Sequence, residues 1–194
     1  MISGIHLQPE LKKAFLELGF EEMTDIQQKS IPLIQEGKDV IGQSQTGSGK
    51  TAAFGFPMLE KVQHNHGIQS LVLVPTRELC EQVTSELIKF AKYKKTSITS
   101  VYGGVSINPQ IGHLRYAEIV VGTPGRILDH LQRGTINFSR VKILVLDEAD
   151  KMFEMGFIDD VKRIISQVPR ERQTLLFSAT ISQQVHDIVQ HYMK

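Results

Sequence analysis

The sequence predicts an open, mostly parallel β-sheet with helices on both faces. The first sign is a pair of apolar runs, Leu71-Val72-Leu73-Val74 and Ile143-Leu144-Val145-Leu146, that do not alternate with polar residues. Strands of that kind must be covered on both sides, which places them at the centre of a parallel sheet. The second is the recurrence of short β-rich runs separated by stretches of helical spacing, the pattern of an α/β domain. The third is size: 194 residues, 41% hydrophobic and 22% charged, suit a single globular domain.

The elements follow from the local pattern. Pro9 opens an amphipathic stretch through Leu11, Phe15 and Leu18 that stops at Gly19. Thr24-Asp25-Ile26-Gln27 has the form of a capping box, followed by Ile31, Leu33 and Ile34, so two helices precede the first strand. Strands are expected over 39–41, 70–74, 97–102, 118–121, 142–146 and 173–177. Helices are expected over 51–63, 76–92, 125–132, 157–167 and 182–193. His64-Asn65-His66-Gly67 reads as a turn in which both histidines are solvated.

Composition excludes several classes. No apolar run approaches the length of a membrane span, so no membrane association is expected. No signal peptide is visible in residues 1–13. Cys80 is the single cysteine, which rules out an internal disulfide or a multi-cysteine metal site and fits a reducing, cytoplasmic compartment. Cys80 itself reads as a small core residue, and the apolar residues of 152–157 read as packing. The net charge of +1 does not by itself suggest a nucleic-acid partner.

Residues 44–51 read Ser-Gln-Thr-Gly-Ser-Gly-Lys-Thr between a strand and a helix, the context of a phosphate-binding loop. Gly47 and Gly49 let successive backbone N–H groups converge on one anion, and the helix that follows adds its positive end. Lys50 would sit on the outer phosphates and the Thr51 hydroxyl on Mg²⁺. The strict pattern has Gly where this chain has Ser44. The binding candidates here are Thr46, Gly47, Ser48, Gly49, Lys50 and Thr51. The buried run 143–146 leads straight into Asp147-Glu148-Ala149-Asp150. Carboxylates at the carboxyl end of a parallel strand lie in the crevice where open α/β sheets bind ligands. Asp147 would hold Mg²⁺, partly through water. Glu148 is placed to take a proton from an attacking water. Lys50, Asp147 and Glu148 are thus the catalytic candidates.

These residues resemble the DEAD-box family of ATP-dependent RNA helicases, which takes its name from the tetrad at 147–150. The family's other first-domain motifs occur in order. Pro75-Thr76-Arg77-Glu78-Leu79-Cys80 resembles PTRELA with Cys for Ala. Gly103-Gly104 matches the glycine pair, Thr123-Pro124-Gly125-Arg126 the TPGR motif, and Ser178-Ala179-Thr180 the SAT motif. The resemblance covers essentially the whole chain. It implies a RecA-like P-loop fold, with residues 1–36 as an adenine-recognition segment and 37–194 as the P-loop core. Phe20 would pack on the adenine and Gln27 would read its edge, with Thr24 beside it. Thr24 and Gln27 can equally cap a helix, and the two roles are compatible. Met23 and Asp25 replace family prolines, and Ile2 stands where the family has an upstream aromatic.

The resemblance also implies that Pro75, Thr76, Arg77, Gly103, Gly104, Thr123, Pro124, Gly125 and Arg126 grip the RNA sugar-phosphate chain with little sequence specificity. Helix N-termini offer free N–H groups to phosphates without reading bases. Ser178 and Thr180 would hydrogen-bond to Asp150 and couple the ATP and RNA sites. A second RecA-like domain of the same protein, absent from this sequence, would supply the arginines that touch the γ-phosphate. The domain alone is therefore expected to be monomeric, to bind ATP with Mg²⁺, and to be nearly inactive. Two other readings compete: a non-enzymatic ATP-gated RNA clamp, and an unrelated P-loop kinase or metabolic ATPase.

Overall fold

The two non-alternating apolar runs become neighbours at the middle of one sheet. In the computed structural model, which describes residues 5–194, β2 (Ser70–Leu73) pairs in parallel with β5 (Ile143–Leu146), with Leu71 beside Leu144 and Leu73 beside Leu146. Around them lie β1 (Val40–Gln43), β3 (Ile98–Val101), β4 (Ile119–Gly122) and β6 (Gln173–Ser178). The strand order is β1-β6-β5-β2-β4-β3 and every pairing is parallel. The four inner strands are buried throughout, whereas the edge strand β1 alternates, leaving Ile41 exposed. Only inner strands need apolar residues on both faces.

Alternate residues of the inner strands feed two cores. Val72, Val121, Val145 and Phe177 face α1 (Pro9–Glu17), α2 (Asp25–Gln35), α3 (Lys50–Lys61) and α4 (Arg77–Phe90). Leu71, Val120, Leu144 and Leu176 face α6 (Pro124–Arg133), α7 (Ala149–Glu154), α8 (Ile158–Ile165) and α9 (Gln183–Tyr192). This one-residue alternation is the strand's period of two, read out as two layers of helices. On the first face, Phe15, Phe20, Phe56 and Phe90 form an aromatic cluster that ties α1 to α3 and α4, with the Phe15 and Phe20 rings stacked 4.8 Å apart.

Several details depart from the sequence reading. α5 (Asn108–Leu114) and α7 were not expected. α5 is short and contains Pro109 and Gly112, which hides its helical spacing. α7 ends before Gly156, whose φ of +89° turns the chain into α8. Met152 and Phe153 pack as expected, but Met155 is exposed. Leu18 and Leu33 also face solvent rather than the core. His64 is not simply solvated: its Nδ1 lies 2.8 Å from the buried Glu118 carboxylate, which also accepts from the backbone N–H groups of Asn65 and Ser97. Ile2, singled out above, lies outside the described residues. Among the described residues no helix is long and apolar enough to cross a membrane.

Cys80 is fully buried on α4, its thiol donating to the Val121 carbonyl at 3.2 Å, and burial pushes the thiol up to about 12. The thiolate is the reactive form, so this thiol is inert while the fold holds. Ellman's reagent should leave the native protein unlabelled at pH 8 and react with one equivalent after denaturation. Rapid native labelling would contradict the packing of α4 on β4.

Candidate functional site

The strand order puts β6 between β1 and β5. The loops leaving the carboxyl ends of these three strands are therefore adjacent, although the sequence separates them widely. They carry Ser44–Thr51, Ser178–Thr180 and Asp147–Asp150. On the other half of the same edge, β2, β4 and β3 release Pro75-Thr76-Arg77, Thr123–Arg126 and Gly103-Gly104.

The loop after β1 curls through Gly47 and Gly49, with φ values of +83° and +84°. Gly49 is required twice over. Its left-handed backbone disfavours any side chain, and a Cβ there would lie 2.6 Å from the Gln27 amide nitrogen. Gln27 is buried and both ends of its amide are engaged: Oε1 accepts from Thr24 N–H at 3.0 Å, and Nε2 donates one of its two N–H groups to the Gly49 carbonyl at 3.0 Å. One side chain thus caps α2 and holds the loop. The hydroxyls of Ser44 and Ser48 are buried without a partner among the described residues. Such groups are costly unless something accepts from or donates to them, and an oxyanion in the loop would serve Ser48.

Lys50 opens α3 and is buried. Its Nζ lies 3.5 Å from Asp147 Oδ1 and 3.5 Å from Glu148 Oε1. Asp147 is completely buried; Oδ1 accepts from Glu148 N–H at 2.9 Å, while Oδ2 has no hydrogen-bond partner among the described residues. Burial pushes its carboxyl up to about 6, against the opposing pull of Lys50. Glu148 has a left-handed backbone, φ +50° and ψ +48°, a conformation that costs about 1–2 kcal/mol for a residue with a Cβ. That turn directs its carboxylate to Thr46, whose hydroxyl donates at 3.3 Å, and to Lys151 Nζ at 3.1 Å. An unpartnered oxygen on Asp147, with the Thr51 hydroxyl at the start of α3, is a donor set that fits a hard divalent cation. A cleft of about 340 Å³ runs alongside, lined among others by Phe20, Lys50, Thr51, Gln82, Glu86 and Asp147. Gln82 and Glu86 gave no sequence signal, because polar residues four apart on a helix read as an ordinary solvated face.

Asp150 meets the chain after β6. Its Oδ2 accepts from Thr180 N–H at 3.0 Å and Thr180 Oγ1–H at 2.9 Å, while its own N–H donates to Ser178 Oγ at 3.2 Å. Burial works against ionisation of Asp150, but the bonds from Thr180 and the Lys151 N–H outweigh it and hold the carboxyl below its usual range. The Ser178 hydroxyl donates onward to the Thr180 carbonyl at 2.7 Å, and the Ser178 carbonyl accepts from Ser44 N–H at 3.0 Å. Ser178 therefore touches both the acidic turn and the start of the phosphate loop.

On the other half, Thr76 caps α4 by accepting from Leu79 N–H at 3.2 Å, with Pro75 before it. Arg77 is half-exposed over the Tyr102 ring. Thr123 precedes Pro124, the first residue of α6, and its N–H donates to the Val101 carbonyl. Gly103, Gly104 and Gly125 have no atom within 4 Å of a would-be Cβ. Arg126 is not free at the surface. Its Nη2 donates to the Val105 carbonyl at 3.0 Å, and its Nη1 to Gln110 Oε1 at 3.3 Å.

The sequence pattern of the DEAD/DEAH box helicase family matches residues 24–188. The chain belongs to that family. It is 52% identical over 189 residues to the DEAD-box ATP-dependent RNA helicase CshA of Geobacillus kaustophilus, covering 96% of this chain and 40% of that relative. The CshA of Bacillus subtilis is 50% identical over 190 residues, and the chain spans 38% of its length. The crystal structure of a DEAD box protein from the hyperthermophile Methanococcus jannaschii superposes with a TM-score of 0.96 at 46% identity, covering 98% of this chain and 53% of that one. The fold of this DEAD-box domain is thus the RecA-like α/β fold that the sequence predicted, and the chain spans about two fifths of the curated relatives it matches.

The raised Asp147 carboxyl has a sign that can be measured. A group with a folded pKa of about 6 and an unfolded value of 3.8 stabilises the fold fully only below the lower value, and that contribution is lost as pH rises through the upper one. Asp147→Asn should therefore raise the thermal midpoint of the ligand-free DEAD-box domain at pH 7.5, and lose that advantage as pH falls below about 4. A midpoint lowered equally at both pH values would mean that Asp147 is a purely structural anion.

Proposed function

We propose that this domain binds ATP with Mg²⁺ on one half of its ligand-facing edge and an RNA sugar-phosphate backbone on the other. Joined to a second RecA-like domain, it hydrolyses ATP to remodel or unwind RNA duplexes. The observation that carries the reading is the position of Ser178 and Thr180, bonded at once to the phosphate loop and to the acidic turn. A nucleotide-dependent shift in either loop can reach the other through those bonds, alongside the direct contacts of Lys50 and Thr46 with Asp147 and Glu148.

In this reading the backbone amides of Gly47, Ser48 and Gly49, with the positive end of α3, cradle the phosphates. Thr46 supports the loop. Lys50 exchanges its contacts with Asp147 and Glu148 for the outer phosphates. Thr51 and Asp147 would hold Mg²⁺, which when bound neutralises developing charge on the phosphates. Glu148 accepts the proton of the attacking water. Phe20, Thr24 and Gln27 form the adenine end, Gln27 both capping α2 and steadying Gly49. The N–H groups at the starts of α4 and α6, with Arg77 and the Gly103-Gly104 backbone, receive RNA phosphates. Asp150, Ser178 and Thr180 couple the two halves. The curated relatives are named as ATP-dependent RNA helicases and are more than twice this chain's length, which supports a reaction completed by a further domain. An arginine from such a domain is worth about 10³–10⁵ in rate.

Three outcomes are expected. Lys50→Ala should abolish binding of a fluorescent ADP or weaken it at least about tenfold, as expected for losing a charge-assisted contact; unchanged affinity would rule out the loop assignment. Gln27→Ala should reduce the preference for ATP over GTP as well as thermal stability; a loss of stability with the preference intact would leave Gln27 as a cap alone. RNA-saturated turnover by this domain alone should stay well below about 1 s⁻¹, the lower end of ordinary enzyme rates. Turnover at or above that rate would show that no second domain is needed.

A further inference from the structure

Gly103 and Gly104 have no packing of their own, yet both carbonyls that bracket them are held. The Tyr102 carbonyl accepts from Gln110 Nε2 at 2.9 Å, and the Val105 carbonyl from Arg126 Nη2 at 3.0 Å. Gln110 lies on α5, the helix that the sequence did not announce, and is buried. Because a carbonyl can only accept, the Gln110 nitrogen must face Tyr102, and its oxygen faces the other way. That oxygen receives two donors, Arg126 Nη1 at 3.3 Å and His130 Nε2 at 3.0 Å. His130 is completely buried on α6. Its Nε2 must then carry the proton, and its Nδ1 lies 2.7 Å from Thr135 Oγ1, whose hydroxyl is also within 3.2 Å of the His130 carbonyl. Burial, reinforced by Arg126, holds the imidazole below its usual range, which suits a neutral ring in one tautomer.

We infer that Gln110 and His130 are positioning residues for the glycine pair: His130 orients the Gln110 amide, and Gln110 with Arg126 clamps the two carbonyls on either side of Gly103-Gly104. The inference rests on the reading of that pair as an RNA-backbone contact. It assigns Arg126 to the same clamp, with its guanidinium turned to the loop and only its rim facing outward. A close backbone approach tolerates little displacement, since small misplacements of a contact cost large factors. Fixing the flanks of a loop with no side chains gives it one conformation without placing atoms where the ligand must come.

The test compares affinities of this domain for a fluorescein-labelled oligouridylate and for a fluorescent ADP, at low salt. Gln110→Leu and His130→Leu should each weaken RNA binding about tenfold or more, in line with losing a buried hydrogen-bond network, and leave ADP affinity within about twofold. His130→Gln, which keeps a donor toward the Gln110 oxygen, should retain most of the RNA affinity. Wild-type RNA affinity in both leucine variants, together with weakened binding by Gly104→Val, would overturn the clamp and leave the RNA reading standing. Equal losses for RNA and ADP would overturn it too, since a general weakening of the fold produces that result. If Gly104→Val binds RNA normally, or the wild-type domain binds none, the RNA reading of the loop falls and the clamp falls with it. A further readout needs no variant. The ¹⁵N spectrum of His130 should show a proton on Nε2 at pH 7, and an Nδ1–H tautomer with a bare Nε2 overturns the inference directly.

Discussion

The insertion of β6 between β1 and β5 is the constraint on which the ligand-facing edge depends. Parallel strands must be joined by crossovers, so strands adjacent in space are often remote in sequence. Here that freedom is used to bring three loops to one place. Ser178 ends β6, its carbonyl bonded to the phosphate loop and its hydroxyl to the acidic turn. The loop and the tetrad also touch directly through Lys50 and Thr46, and β6 adds a backbone-anchored link between them.

The same edge concentrates costs that a merely stable domain would avoid. Lys50 and Asp147 are both buried, and Glu148 beside them holds a left-handed backbone. A buried charge is tolerable only with partners, and each partner here is incomplete: one Asp147 oxygen is unpaired and the Lys50 contacts are long at 3.5 Å. Incomplete pairing inside an otherwise closely packed sheet is what a site prepared for an additional charged ligand looks like. The surrounding sheet, buried on both faces, supplies the rigidity that holds such groups together. The glycine loop on the other half solves the opposite problem. It must be open to approach, so its rigidity comes from Gln110, His130 and Arg126 outside it.

Much of this was legible in the residues. The central strands were evident because unbroken Leu/Val/Ile runs have only one comfortable home. The curled loop at 44–51 was evident because its glycines sit in fixed order between a strand and a helix. What was not legible has a common cause. α5 was hidden by Pro109 and Gly112, and its one buried polar residue, Gln110, looks like any surface glutamine. His130 reads as part of the last polar turn of a helix. Gln82 and Glu86 read as a solvated stripe. A polar residue reveals its role only through its partners, and these partners are brought by other elements.

The amino-acid order by itself determined the elements that repeat a period or a motif: the two-faced central strands, the curled loop at 44–51, the acids at the end of β5, the helix starts at Thr76 and Thr123. Each follows from interactions among residues close in the chain, where periodicity and turn chemistry act. Only the tertiary structure decided that Ser178 would touch both loops, that Gln27 would bond to the Gly49 carbonyl, and that Arg126 would turn inward to Gln110 and Val105. Those outcomes depend on strand order and on which buried donors lack acceptors, and neither is set by any local stretch of sequence.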